Sequence, residues 1–409
     1  MKKLEVQEFL ESKSFGDLAK AHGVYCSFSK CGSFFSLNYD QIEAKENDPL
    51  SQKCRGLILT ANKSFLDNAE KINSKLVYDH IIPGETQILA YPMSRFFNMG
   101  QGAQADLDWK DPDLKAIEKL DGSLLICYFN TVKNCWCMAT RAVPEANLLM
   151  DSGLFTFRTL FEKALEEKYK VSFDDFTSEL NPNYTYCFEL TSRLNRIVCD
   201  YPEMNVSLLA IRELETHKEL DPKSTFKHSK LDISHPKEYD LNEIKDLADW
   251  VSTLSPLEHE GIVLKDSKFN RIKVKSPAYI AYNKLHDRLG TSSRNCLEMI
   301  LLEKDDDIIP FISPYVADNL IEIKKNLNIF IKKYDELYLT IKAEADALSL
   351  GDKKTFAIMA NAKDIWTAPM FHIYGGKSNS IKDFLIKSKK LGTWSDSFLD
   401  RLLELISNK

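Results

Sequence analysis

The chain has 409 residues, 44% of them hydrophobic and 28% charged, the composition of a globular protein with apolar material for two or three domains. Lysine and arginine number 54 against 60 aspartate and glutamate, and the formal net charge of -6 excludes a uniformly basic nucleic-acid coat. The opening MKKLEVQEFLESKSF lacks the apolar stretch of a secretion signal and no run of about 18 apolar residues follows, so a soluble, intracellular, cytoplasmic protein without a membrane partner is expected. Nine cysteines, an odd number in a chain too large to need staples, read as reduced thiols. Cys135 and Cys137 have no second pair at zinc spacing, and they read as packing residues on a strand.

In chain order, short β-branched and aromatic runs predict strands between Tyr25 and Lys275: FFSLNY, GLILTA, SLLICYF, CWCMAT, YTYCFEL, RIVCDY, VSLLAIREL, GIVLK and RIKVK. Helical spacing intervenes over Leu154 to Tyr169 and over Leu241 to Leu254, the second with Asp240 or Asn242 as cap. Strands and helices without regular alternation make this region α+β. After Tyr282 the strand signal stops. A long amphipathic helix capped by Asp318 or Asn319 is expected through Leu320, Ile323, Leu327, Ile331, Tyr334, Tyr338 and Ile341. Gly351 and Asp352 mark a turn, and helical patterns resume over Thr355 to Ile365 and Ile381 to Leu391, around the Gly375-Gly376 break. The expected architecture is an α+β domain over 1–285 and an all-α domain over 286–409.

Residues 320–390 carry 13 lysines and no arginine against 8 acidic residues, a net of +5 within a chain of net charge -6. The remainder is therefore at -11. A lysine excess on helices is either a solvated face or a surface for a polyphosphate such as RNA.

GxxxxGK[ST], HExxH and GxSxG are all absent, and Gly100 to Ala105 matches a dinucleotide fingerprint only loosely, with no helix start behind it. Ile117-Glu118-Lys119-Leu120-Asp121-Gly122-Ser123 is more informative. It places a lysine at a turn entering a strand, and neighbouring cations or a metal can depress an amine pKa enough to make a nucleophile. KxDG alone is weak, but it stands in an ordered set: Cys54-Arg55-Gly56, Pro92-Met93-Ser94-Arg95-Phe96-Phe97-Asn98, Phe188-Glu189-Leu190, Asn195-Arg196-Ile197-Val198, Glu260-Gly261-Ile262-Val263 and Arg271-Ile272-Lys273-Val274-Lys275. Alternation puts Arg271, Lys273 and Lys275 on one strand face, with Ile272 and Val274 toward the core.

In that order and spacing the motifs resemble the covalent nucleotidyltransferases, and within them the bacteriophage T4 RNA ligase 1 family. VSLLAIRELETHKEL, DKKTFAIMANAK and MFHIYGG extend the likeness over nearly the whole chain. The resemblance implies a ligase-type nucleotidyltransferase (ATP-grasp-like) fold of antiparallel sheets and helices, with the all-helical C-terminal domain setting RNA specificity. It implies an ATP-dependent RNA ligase that joins 5′-phosphate and 3′-hydroxyl ends through a lysyl-AMP on Lys119, with Mg²⁺ or Mn²⁺. Arg55 and Arg95 would contact ATP phosphates, Lys273 and Lys275 the α-phosphate and the leaving pyrophosphate, and Glu189 the ribose. Glu260 would hold the metal through water, with Glu189 as a second candidate ligand. Gly122 would let the backbone approach the nucleotide, and Tyr279 is an aromatic just beyond the lysine pair.

Four positions depart from the family: Leu37 stands where a tyrosine is found, and Arg141 and Arg95 each replace a lysine. Ala142 also replaces the glycine that follows. Arg141 keeps the charge with a different geometry and stays a candidate nucleotide contact. The implied partner is RNA, including tRNA broken in its anticodon loop, with a separate end-healing kinase-phosphatase and a monomeric state. The alternatives are a ligase acting on DNA, a capping-type guanylyltransferase and a non-catalytic RNA-binding relative.

Overall fold

The computed structural model describes residues 3–61, 81–147, 155–226, 231–244, 246–289, 293–303, 305, 309, 314–349, 352–363, 366–388 and 394–407. Two compact units divide the chain, Met1–Asn283 and Lys284–Lys409. The division falls inside the helix Pro277–Leu289.

Three sheets build the first unit. β1 (Val24–Phe28), β2 (Phe34–Tyr39), β3 (Arg55–Thr60) and β4 (Ile88–Ala90) lie in that order, antiparallel throughout. Two short strands follow, β5 (Phe97–Asn98) and β6 (Lys115–Glu118). Next come β7 (Ser123–Asn130), β8 (Cys135–Thr140), β9 (Tyr184–Thr191), β10 (Asn205–Glu213) and β11 (Glu219–Leu220), which form the second sheet in the order β11-β10-β9-β7-β8. The third sheet joins β12 (Glu238–Tyr239), β6, β13 (Gly261–Lys265), β14 (Arg271–Lys275) and β5 in that order. All its pairings are antiparallel except β14 with β5.

Period-2 burial explains how the sheets stack. On β7, Ile126 and Tyr128 meet Phe34, Ile58 and Ala90 of the first sheet, while Leu125 and Cys127 face Leu160, Phe161 and Phe176 on helices behind. With both faces covered, β7 reads as a continuous apolar run. In the third sheet, Ile262, Leu264, Ile272 and Val274 pack on Leu107 and Val251. The opposite face carries Val263, Lys265, Arg271 and Ile117 toward a cleft. Cys135 and Cys137 stand on β8, and the nine cysteines carry no disulfide.

Several expected boundaries move, each for a local reason. RIVCDY is not a strand: a 3-10 turn at Arg193–Asn195 leads into bends, and Val198 and Cys199 owe their burial to packing on Tyr279. Leu241 to Leu254 splits into a 3-10 turn, Leu241–Glu243, and a helix, Leu247–Ser252. Two aspartates start these pieces, Asp240 accepting from Asn242 N–H and Asp246 from Asp249 N–H. The helix expected from Leu154 begins at Phe157, where Thr156 accepts from Thr159 N–H; Leu154 lies outside the described residues. Residues 99–114, which hold the loose glycine fingerprint, contain turns and no helix.

The second unit is helical, with the helix Pro314–Ser349 as its spine. It starts before Asp318, which is therefore an interior residue and not a cap; a proline with fixed φ suits a first helical turn. Leu320, Ile323, Leu327, Tyr334, Tyr338 and Ile341 form its buried stripe. Leu297, Phe356, Met370, Leu385 and Leu402 from neighbouring helices close this core. Asp352 caps the helix Lys353–Asn361, and Ser380 caps Ile381–Lys387, shorter than the expected segments; Gly351, Ile365 and Leu391 lie outside the described residues. No described helix is long and apolar enough to cross a membrane.

Candidate active site

Backbone register brings three of the sequence motifs into one row. The Lys119 N–H donates to Gly261 O at 2.9 Å, extending the pairing of β6 with β13, and Gly261 lies opposite Lys275 on β14. Glu260, immediately before Gly261, is consequently flanked by two amines. Lys119 Nζ is 2.5 Å from Glu260 Oε2, and Lys275 Nζ is 2.7 Å from Oε1. The carboxylate is 4% exposed, while the two lysines keep a partial opening to solvent. Gly261 has φ of 143°, and a Cβ there would lie 2.2 Å from Val274 O, which only glycine avoids.

The KLDG turn is held from beneath by Asp121, 2% exposed. Its Oδ2 accepts from Val198 N–H and Cys199 N–H, each at 2.8 Å, and its Oδ1 accepts from the Tyr279 hydroxyl at 2.6 Å. Its own N–H donates to the Tyr201 hydroxyl at 3.0 Å. Asn195 steadies the next residues, donating to Leu190 O and Ser123 Oγ. Tyr279 is therefore placed as a buried support, 3% exposed, whose ring lies 5.5 Å from Lys275 Nζ. It does not line the cleft cavity.

That cavity, about 540 Å³, opens beside Lys119 between the second and third sheets. Arg55, Gly122, Arg141 and Glu189 also line it, together with Phe96, Leu124, Ile197 and Val263. Glu189 Oε1 accepts from Gly122 N–H at 3.2 Å. A Cβ at Gly122 would sit 2.2 Å from Leu190 O, so this glycine is needed first for the close approach of the turn to β9. Arg55 and Arg141 are neighbours because Gly56, with φ of 85°, lets β3 approach closely; a Cβ there would lie 3.2 Å from Arg141 Cα. Arg55 keeps a buried Nη1 without a hydrogen-bond partner, and Lys273 Nζ lies 4.7 Å from the Phe96 ring that walls the cavity. Arg95 is elsewhere: its guanidinium stacks on Tyr39 and Phe97 and lines a neighbouring cavity instead.

Charge is tuned here in opposite directions. Burial pulls the Lys119 amine down, but the adjacent Glu260 and Glu189 outweigh it and leave the pKa above the ordinary lysine value. The depressed amine expected at Lys119 is found at Lys273, which burial, with Arg55, Lys119 and Lys275 nearby, lowers to about 7. Burial raises Glu189 to about 7, against the pull of Lys119 and Arg55. Burial also lowers Arg55. A cation crowd around an unpartnered guanidinium N–H is a receptor for anionic oxygen.

Asp121, Asn195 and Tyr201 are supports to which the motifs themselves assign no task. Tyr39 is another such residue. It shares a strand face with the buried Leu37, and its ring lies 4.3 Å from the Arg95 guanidinium carbon and 5.7 Å from that of Arg141. The period of two, counted on from Leu37, is the signal that finds it.

A family profile described as RNA ligase matches residues 53–279, more than half of the chain and every motif from Arg55 to Tyr279. A protein of Autographa californica nuclear polyhedrosis virus named as a bifunctional polynucleotide kinase/RNA ligase is 28% identical over 331 residues, covering 75% of this chain and 43% of that one. An RNA ligase of Rhodothermus phage RM378 is 23% identical over 295 residues, covering 58% of this chain and 65% of that one. The chain thus spans less than two thirds of either relative. A solved archaeal ATP-dependent RNA ligase aligns over 98% of both chains at 15% identity with a TM-score of 0.43.

Proposed function

Since this chain belongs to the RNA ligase family, we propose that it uses ATP to seal a 5′-phosphate RNA end to a 3′-hydroxyl end, with Lys119 as nucleophile. The observation that carries this reading is the buried Glu260 carboxylate held between Lys119 and Lys275, beside a cavity lined by Arg55, whose guanidinium keeps an unpartnered N–H. Lys119 Nζ attacks the α-phosphorus of ATP; the N–P bond forms and the bond to pyrophosphate breaks. The 5′-phosphate oxygen of RNA then takes the AMP from Lys119, and the 3′-hydroxyl oxygen attacks that 5′-phosphate and releases AMP. Each displacement needs alignment and charge stabilisation more than covalent help.

In the free protein Lys119 is an ammonium held by Glu260, so its proton must leave and the pair must open before attack. Lys275, on the other oxygen of Glu260, keeps that carboxylate paired while Lys119 turns to the nucleotide. Arg55 and Arg141 supply fixed positive charge for the phosphates, Lys273 adds a charge that the phosphates themselves help to hold, and Glu189 faces the ribose. Mg²⁺ or Mn²⁺ would be held by Glu260 through water, beside Glu189, and would neutralise phosphate charge. Carboxylate oxygens are the hard donors such ions take, and the neighbouring Glu260 charge adds to the rise at Glu189 that a cation would relieve. No cluster of three or more metal-binding side chains occurs among the described residues, so nucleotide oxygens and water would complete the shell.

Residues 1–285 act in this reading as the adenylyltransferase and 286–409 as the RNA-selecting part. The kinase in the viral relative's name supports end healing before sealing, with broken tRNA as a substrate to try first. Incubation with α-labelled ATP and Mg²⁺ should give an acid-labile, alkali-stable AMP adduct in the native protein and none in Lys119→Ala. An adduct on that variant would end the assignment. ATP against GTP, and 5′-phosphorylated RNA against DNA, then separate an RNA ligase from a DNA ligase or guanylyltransferase. Selective sealing of an anticodon-nicked tRNA is the expected result, and equal circularisation of any RNA would remove the tRNA assignment alone.

A further inference from the structure

The cleft continues past the nucleotide cavity. Sharing Phe96 and Arg271 with it is a second cavity of about 610 Å³. Five cationic side chains line it, Arg95, Arg212, Lys218, Lys268 and Arg271, against one carboxylate, Glu219. That carboxylate is already engaged: Arg271 Nη1 donates to it at 3.0 Å, and Arg212 Nη2 lies 3.5 Å away. The positive surplus is therefore left unbalanced by the cavity's own walls. Arg212, 11% exposed, also keeps a buried Nε without a hydrogen-bond partner. A buried guanidinium N–H without an acceptor is costly, and an anionic oxygen satisfies it.

Two turns frame this cavity, and each holds a shape its residues do not choose alone. His217, between β10 and β11, has φ of 59°, and Phe269, between β13 and β14, has φ of 64°. Left-handed backbone at a bulky residue is strained and persists only where its surroundings impose it. Asp266, 2% exposed, imposes it at Phe269: Oδ1 accepts from Lys268 N–H and Asn270 N–H, and Oδ2 from the Asn270 amide. Arg271 Nη1 also donates to Phe269 O at 3.0 Å. The turn thus presents Lys268 and Arg271 together, while the other turn brings Lys218.

We propose that this second cavity binds phosphate groups of the RNA strand flanking the sealed end. It rests on the ligase reading only for which strand is bound. Its size matches that of a nucleotide cavity and exceeds the need of one small anion. Lys218 and Lys268 are exposed and can follow a chain that leaves the cavity. Phe96 and Phe269 add ring surface for a base beside the cations, the pairing that single-stranded nucleic-acid grooves use.

The test is Lys218→Ala with Lys268→Ala in the full chain. Both are surface lysines outside the Lys119 cavity, so lysyl-AMP formation is the internal check on folding. Binding of a fluorescent 5′-phosphorylated single-stranded RNA, without ATP, is measured from 50 to 200 mM salt. Affinity should fall about tenfold, and the slope of log affinity against log salt should shrink by about 1.4, two contacts on a single strand. Unchanged RNA affinity and slope would overturn the proposal. So would a loss confined to ATP or inorganic tripolyphosphate, which would make this a small-anion site. If the native protein formed no lysyl-AMP yet lost RNA through these two lysines, the ligase reading would fall and the RNA site would stand.

Discussion

Lys273 and Glu189 both titrate near neutrality with opposite starting charges, Glu189 in the wall of the cavity and Lys273 beside it, behind Phe96. As pH rises from 6 to 8, Lys273, lowered to about 7, loses its positive charge, and Glu189, raised to about 7, gains a negative one. Bound triphosphate would pull the Lys273 pKa back up, so binding takes up a proton and weakens with rising pH. The KM for ATP in adduct formation should rise about tenfold over those two units, the span a single lysine can deliver at roughly 1.4 kcal/mol per unit. Lys273→Arg keeps the charge at every pH and should flatten much of that rise; an identical slope in the variant would remove Lys273 from the explanation. Asp121 carries a different weight. Replacing it by alanine leaves Val198 N–H, Cys199 N–H and the Tyr279 hydroxyl without their buried acceptor. A loss of about 3 kcal/mol in denaturant unfolding is expected, and at least 100-fold in adduct formation from a misplaced Lys119. A variant as stable and active as the native chain would show that the turn holds itself.

The row at Glu260 is a property of strands before it is a property of side chains, because β6, β13 and β14 must pair in one register for Lys119 and Lys275 to reach the same carboxylate. Most of those strands could be read from alternation and β-branching alone, RIKVK most clearly, since Ile272 and Val274 do face the core. Their partners could not, because pairing is non-local: nothing in RIKVK says that Arg271 meets Glu219 across 52 positions while Lys275 meets Glu260. RIVCDY misleads for a related reason, its apolar residues being buried by Tyr279 and its backbone tied to Asp121, so neither burial nor bonding comes from a sheet. Glycines carry the element scale into a test. Gly122→Ala would drive a methyl to 2.2 Å from Leu190 O, and the turn cannot retreat without disturbing Asp121. A destabilisation of about 3 kcal/mol is expected, read as a lower denaturant midpoint, with adduct formation reduced even where the variant is folded. A neutral substitution would mean that this turn has more room than its contacts allow.

At the scale of the whole chain, the net charge of -6 conceals two uses of lysine. In the first unit a handful of cations are individually placed around the cleft, as at Arg55, Lys119, Lys273 and Lys275. In the second they are spread along helices around a separate core, whose members from Cys296 to Ile406 all lie beyond residue 283. The helix Pro277–Leu289 runs across the division, yet its first turn belongs to the first unit through Tyr279, which holds Asp121 and packs on Val198 and Cys199. A cut before Tyr279 would therefore remove a support of the KLDG turn. A chain ending at Leu289 keeps that support and every candidate adenylation residue. It should remain folded, since its hydrophobic clusters are built from its own residues, and should form the Lys119 adduct within about threefold of the full-chain rate. Transfer to RNA should suffer more, with KM for a 5′-phosphorylated strand rising at least tenfold, because the lysine-bearing helices are gone. Loss of the adduct in a fragment that still unfolds cooperatively would place part of the adenylation machinery in the helical unit. Unchanged RNA kinetics would instead leave substrate binding to the first unit and its two cavities.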